Sequence, residues 1–340
     1  MTHTRRRARR PTATAAAATT AAAAVVAAAA WAALHATSPR VRLWRRGAGR
    51  VVAIHGTAHS TGHGTALGSR VFGSGDTVVV LLPGIAASER FFGEAWNTLA
   101  DVATVVALDP LGFGTSRDHP LSDSFDGSRE HHLAAISATL DALGFDDRPV
   151  IVAGHSMGAS LAIQWAAVDP RARAVVAFDA PLYETRDEAR ERVGSMGWFE
   201  RLLSNGPLAE RVCAWMCAHR RAAAAIAVVG NPTLPIPVAA AGVQHTWPAY
   251  ISAFDELVAG RTWIEALDAL AAGGVPVHLV NGTDDPVPVP GRASALAARH
   301  ATVTARTHPG GHDLPLVAAG WCSILVRGVV TDVVSTPGTP

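Results

Sequence analysis

Three short stretches carry residues able to do chemistry together. GHSMG, residues 154–158, follows the apolar run PVIVA and leads straight into a helix-prone segment. A serine between small residues at a strand-to-helix turn lifts its hydroxyl above a sheet, because the serine backbone is strained and bulky neighbours would clash. The free N–H groups of the helix start favour an oxyanion beside it. The plain alternative is an ornamental serine in a tight turn, which leaves the other two stretches unexplained. GGHDLPL, residues 310–316, places His312 on a loop between the last strand-like run and the last helix, where it can act as the base for Ser156. NGTDDPVPVP, residues 281–290, ends an earlier run at the same edge and offers the carboxylate that orients the imidazole. Asp285, three residues past Gly282 where the turn has come around the strand end, is the preferred acid. Asp284 is then a solvated neighbour, and Asp179 in AVVAFDAP is a rival. The chain order serine, aspartate, histidine holds for all three.

The remaining histidines offer less. His131 and His132 fall in mid-helix, His278 inside a strand, and His300 at the end of a surface helix. His155 adjoins the serine, but the strained backbone there is expected to point its ring elsewhere. His55, His59 and His63 are evenly spaced, as metal ligands can be. However, Gly56, Gly62 and Gly64 break any helix that would align them, and no carboxylate or cysteine is near, so a polar glycine-rich turn is expected. The three cysteines form no Cys-x-x-Cys pair and imply neither zinc nor a disulfide framework; Cys213 and Cys217 share one helical face as small packed hydrophobes. No metal or organic cofactor is expected.

Positioning these loops requires a particular order of elements. From Thr77 onward short β-branched runs alternate with helical segments: DTVVVLLPG then FFGEAWNTLADV, TVVALD then SREHHLAAISATLDALGF, PVIVAG then SMGASLAIQWAAVDP, and AVVAFDAP. The runs lack polar alternation, as expected of strands covered on both faces, and the alternation implies right-handed crossovers and a mostly parallel sheet. After Pro181 the rhythm stops. Residues 183–229 are helix-prone and residues 230–250 are punctuated by prolines; strand-like VPVHLVNG, helical SALAARH, strand-like ATVTART and helical LPLVAAGWCSILVRGVV follow. Residues from about Leu182 to Gly260 therefore look like a helical insertion between two strands of one sheet.

With these residues in place the chain resembles the capped, serine-nucleophile branch of the α/β-hydrolase superfamily over roughly residues 66–330. LDPLGFGTS, residues 108–116, is similar to that family's Asp-x-x-Gly-x-Gly-x-Ser loop, in which Asp109, Gly112 and Gly114 shape a turn without doing chemistry. The resemblance implies a mostly parallel, eight-stranded sheet flanked by helices, with a helical cap inserted after the sixth strand. It also implies which loop holds the oxyanion. That strand precedes the Asp109 loop by one helix, which fits VVVLLPGI and not VVAIHG, so Pro83-Gly84-Ile85 stands where many relatives have His-Gly. The amides of Ile85 and Met157 would form the oxyanion hole, and VVAIHG would be an edge strand or a lead-in. Serine at the elbow argues against the dehalogenase and epoxide-hydrolase members, whose nucleophile there is aspartate. The expected activity is hydrolysis of a carboxylic ester or related acyl compound through an acyl-enzyme. Acyl transfer, perhydrolysis or carbon–carbon bond hydrolysis on the same triad, and ligand binding without turnover, are the alternatives.

Composition sets the surroundings. The chain has 340 residues, 49% apolar and 17% charged, with a formal net charge of +1, which gives no reason to expect nucleic acid. Its one basic cluster, Arg5 to Arg10, precedes an alanine- and threonine-rich stretch with no charge before Arg40. The pattern reads as a secretory signal with a cut after Ala36 or a weak membrane anchor, and otherwise as a disordered tail; in each case it lies outside the folded domain. Secretion or membrane association is thus expected, with the cytoplasm as the alternative. A twin-arginine export signal is a further alternative, but the pairs Arg6-Arg7 and Arg9-Arg10 lack the apolar residues that usually follow. The expected divisions are the N-terminal segment at 1–40, a core at 41–181 and 261–332, the cap at 182–260 and a tail at 333–340. Trp198, Trp215, Trp247, Trp263, Phe199, Met196 and Met216 lie in or beside the cap and suit an apolar acyl substrate, although such residues are more often core.

Overall fold

A computed structural model describes residues 13–52, 66–118, 127–195 and 206–335. Eight strands form one sheet: β1 Arg50–Val52, β2 Ser69–Gly73, β3 Val78–Leu82, β4 Thr104–Leu108, β5 Val150–His155, β6 Ala172–Phe178, β7 Val277–Gly282 and β8 Val303–His308. Their order is β1-β2-β4-β3-β5-β6-β7-β8. The pairs β1–β2 and β2–β4 are antiparallel and all the others parallel.

Every residue of β3, β4 and β5 is buried, as their unbroken apolar runs require. The period-two alternation divides each strand between two cores. Val78, Val80 and Leu82 face α3 (Arg129–Ala142), α4 (Met157–Ala166) and, further along the chain, the helix Trp263–Ala272. Val79 and Leu81 face Trp96, Leu99 and the C-terminal helix Ala319–Ser335. Each fully buried valine or leucine stabilises the fold by roughly 1.5–3 kcal/mol. Between β6 and β7 the chain forms α5 Arg186–Gly194, α6 Gly206–Ala218, α7 Arg220–Gly230, α8 Ile236–Ala241, α9 Trp247–Ala253 and, on the sheet, α10 Trp263–Ala272. The remaining helices are α11 Arg292–Arg299, α12 Leu314–Val317 and α13 Ala319–Ser335.

Three expectations need correction, and one strand, β2, is not among the expected runs. β2 has only two large apolar residues, and Arg70 lies buried within it. Its guanidinium is fully engaged by Glu89 at 2.7 Å and the carbonyls of Ala48 and Phe92, so the sheet accepts a charge that the hydrophobic pattern disguises. FFGEAWNTLADV is not an α-helix but two 3-10 turns, Glu89–Phe91 and Glu94–Leu99. Gly93 between them is extended, and the Glu94 amide donates to the Arg45 carbonyl at 2.7 Å instead of to its own helix. The closing helix is broken into α12 and α13 at Ala318.

The third correction concerns the N-terminal segment, which does not lie wholly outside the fold. α1 Ala13–Thr37 and α2 Pro39–Leu43 lead into the sheet. Trp31 donates to the Val229 carbonyl at 3.1 Å, His35 contacts the Pro232 carbonyl at 2.9 Å, and Ser38 donates to that of Thr233 at 2.6 Å. Among the described residues no single helix is long and apolar enough to cross a membrane. His55, His59 and His63, with Met196, Trp198 and Phe199, lie outside the described residues. Trp263 and Met216 are core, whereas Trp215 is exposed.

Candidate active site

The turn after β5 is built by close approach. A Cβ on Gly154 would lie 2.0 Å from the Gly158 carbonyl oxygen, and one on Gly158 would lie 2.3 and 2.4 Å from those of Leu82 and Pro83. Only glycine fits either position. Ser156 between them sits at φ 53°, ψ −122°, a conformation costly for a residue with a side chain, held by its N–H donating to the Phe178 carbonyl at 2.9 Å. Ala86 and Asp179, just past β3 and β6, also have positive φ. These are the only non-glycine residues in that region among those described, and they follow three neighbouring strands.

The histidine and acid loops are stitched to one another. The Asp284 amide donates to the Gly310 carbonyl at 2.9 Å and that of Thr283 to His308 at 3.0 Å. Gly282 allows the approach, since a Cβ there would meet the Gly310 and Gly311 carbonyls at 2.5 and 2.7 Å. As a result His312 Nε2 lies 3.0 Å from Ser156 Oγ, and Nδ1 lies 2.9 Å from Asp285 Oδ2. The Asp285 side chain is fully buried, and its other oxygen accepts from the Val287 amide at 2.8 Å. Asp284 is exposed. With Nδ1–H donated to Asp285, Nε2 is left as the acceptor of the serine proton.

Asp179 does not take the acid's place but lies behind it. Its side chain is wholly buried, Oδ1 accepts from the Gly282 amide at 2.8 Å, and its carboxyl is within hydrogen-bonding reach of Asp285. Burial first, and then the charge of Asp285, push its pKa up to about 9.

His155 departs from expectation. Its ring does not point away: it stacks on Phe91 at 4.7 Å, and Nε2 donates to the main-chain carbonyl of His312 at 2.5 Å. The strain belongs to Ser156, whereas His155 is still the last residue of β5 and follows Ile151 and Ala153 onto the Phe91 side of the sheet. Burial, followed by the neighbouring His312, lowers its pKa to about 3, so the ring is neutral. His155, Asp179 and His312 each offer a ligand atom within 4.8 Å of the others. His155 Nε2 is already engaged with a carbonyl, and the two His312 nitrogens with Ser156 and Asp285, so the trio reads as a hydrogen-bonded support rather than an ion cage.

The Pro83-Gly84-Ile85 loop lies against the serine: a Cβ on Gly84 would be 3.2 Å from that of Ser156. Neither the Ile85 nor the Met157 amide donates a hydrogen bond among the described residues, leaving both available to an incoming oxyanion. Asp109, expected to shape a turn, accepts from the Glu89 and Thr115 amides, each at 2.7 Å, and so fastens the loop after β4 to the one after β3. From the insertion, Gln244 accepts from the Gly114 amide at 2.9 Å and His245 bridges to Phe113. Ser156 keeps only 7% exposure.

The family model described as "Alpha/beta hydrolase family" matches residues 79–322. No curated protein matches the chain. Among solved structures it is similar to DBJA in its mutant form dbja delta, at 18% identity and TM-score 0.61, covering 79% of this chain and 96% of that one. It is also similar to the haloalkane dehalogenase DbeA from Bradyrhizobium elkani USDA94, at 19% and 0.58, covering 80% and 97%. A third is the esterase RhEst1 from Rhodococcus sp. ECU1013, at 21% and 0.57, covering 78% and 95%. Likenesses at these identities concern the fold alone.

Proposed function

Because the chain belongs to the alpha/beta hydrolase family, we propose that it is a serine hydrolase that cleaves a carboxylic ester or related acyl compound through an acyl-enzyme. The observation that supports this most is the unbroken series of contacts from Ser156 Oγ through the His312 ring to Asp285, at 3.0 and 2.9 Å. Ser156 attacks the acyl carbon as its proton passes to Nε2 of His312. Asp285 holds the imidazole in the required tautomer and offsets the charge it gains. The amides of Ile85 and Met157 receive the developing oxyanion, in a turn whose strain is fixed before substrate arrives. Collapse of the tetrahedral adduct releases the alcohol with the proton from His312. Water, giving its proton to the same nitrogen, then attacks the acyl group and frees the acid.

The helices between β6 and β7 serve as the cap in this reading. Their partly buried and buried apolar side chains, Val243, Trp247 and Tyr250 among them, suit an apolar acyl or alcohol group. In a panel of p-nitrophenyl esters, Ser156→Ala should lower kcat by at least ~10³-fold while the melting temperature stays within a few degrees. Wild-type protein should also react with a fluorophosphonate probe and the variant should not. Full turnover by purified Ser156→Ala protein would refute the assignment.

A further inference from the structure

We propose that Asp179 is a positioning residue for this site: its carboxyl group donates a hydrogen bond to Asp285 and thereby fixes the carboxylate that steadies His312. The inference rests on the serine-hydrolase reading and extends it to a residue outside the triad. Two ionised carboxylates cannot bond to one another, and an ionised Asp179 would leave Oδ2 buried with no partner. A proton on that oxygen turns the contact with Asp285 into a hydrogen bond and satisfies both groups.

The surroundings of Asp179 favour the protonated form. From β5 it faces His155, whose Nε2 is 4.0 Å away and already committed to the His312 carbonyl, so that ring is neutral. From the loop after β7 it faces Asp285, which must carry the negative charge if His312 is to be oriented. The Gly282 amide bonds to Oδ1 from β7, and Cys322 approaches from α13 as a thiol whose own ionisation is suppressed by burial. His312 itself lies within 4.8 Å. No arginine or lysine is among these groups, so nothing offsets a second charge. The positive φ of Asp179 aims the side chain along this line, at the cost of backbone strain that a surface aspartate would not need.

The sign of the pH effect follows directly. Native protein retains a proton on Asp179 that the unfolded chain releases above its ordinary carboxylate pKa, so this group lowers stability progressively from about pH 4 up to about pH 9. Asp179→Asn keeps the shape and the donor but cannot titrate.

The experiment uses full-length wild type, Asp179→Asn and Asp179→Ala. It follows melting temperature from pH 4.5 to pH 9 and ester turnover over the same range. Asparagine should raise the melting temperature at pH 8 by at least ~3 °C, with the gain shrinking towards pH 4.5. Alanine should lower kcat more than ~10-fold with little change in KM, and asparagine should recover most of that loss. The wild-type profile should bend downward near pH 9, and the asparagine profile should not. A melting difference that is flat with pH, or asparagine no better than alanine, would overturn the inference. The thermal arm needs no turnover, so an inactive wild type would sink the serine-hydrolase reading alone. If the alanine variant does not fold, the asparagine comparison still decides.

Discussion

Gly158→Ala makes the sharpest test of how the serine turn is built. A methyl group at this position would sit 2.3 Å from the Leu82 carbonyl oxygen and 2.4 Å from that of Pro83, both main-chain atoms that no rotamer change can move. Reaching even 3.0 Å requires the first turn of α4 and the end of β3 to part by roughly 0.7 Å, a strain of the kind that costs about 1–3 kcal/mol. For a domain of this size each kcal/mol moves the melting temperature by about 2–4 °C, so a fall of roughly 2–12 °C is expected. The same displacement separates the Ile85 amide from that of Met157. Since about 1 Å of misplacement can cost 10²-fold, turnover should drop roughly 10- to 100-fold. Gly328 in α13 supplies the opposite sign: nothing lies within 4 Å of its Cβ position, and alanine in mid-helix should gain up to ~1 kcal/mol. Differential scanning fluorimetry and p-nitrophenyl ester assays read both. A Gly158→Ala protein with wild-type melting temperature and turnover would refute the close-approach argument.

Two further outcomes are expected. Asp285→Asn should lose at least ~10²-fold in kcat whereas exposed Asp284→Asn stays near wild type, and the reverse ranking in ester assays would move the acid by one residue. His245 is buried and its pKa is held down to about 4, chiefly by burial and then by Arg220. The unfolded chain takes up a proton below its ordinary value of 6.5 while the native ring does not, so stability falls as pH drops from 6.5 towards 4, by up to ~3 kcal/mol from this group. His245→Phe should flatten that part of the melting-temperature profile, and an unchanged slope would count against a neutral buried ring.

Much of this architecture could be read from the chain because the central strands are buried on both faces. Runs such as VVVLL and VIVAG admit few alternatives, and the glycines of GHSMG and NGTDD fall where main chain meets main chain. The choice of Asp285 over Asp179 had a weaker basis. Both follow strands that end at the same edge, and only the stitching of residues 283–284 to residues 308–310 carries Asp285 to the imidazole. Strand β2 was hidden because its charge is neutralised by Glu89, nineteen residues away, which no local pattern reveals. The helix expected over 91–102 failed for a similar reason: the incoming Arg45 carbonyl captures an amide that a helix would need. The side of the sheet taken by His155 is legible in the two-residue alternation of β5, which runs unbroken up to the strained Ser156.

The tether formed by residues 31–40 has a mechanical consequence. Trp31, His35 and Ser38 grip the carbonyls of 228–233 while the Arg40 guanidinium holds Asp313, the residue next to His312. One short length of polypeptide thus clasps the insertion at one end and the base-bearing loop at the other. A shortened protein starting at Val41 would lose both grips at once, so its kinetics would report the released clasp as well as the missing residues.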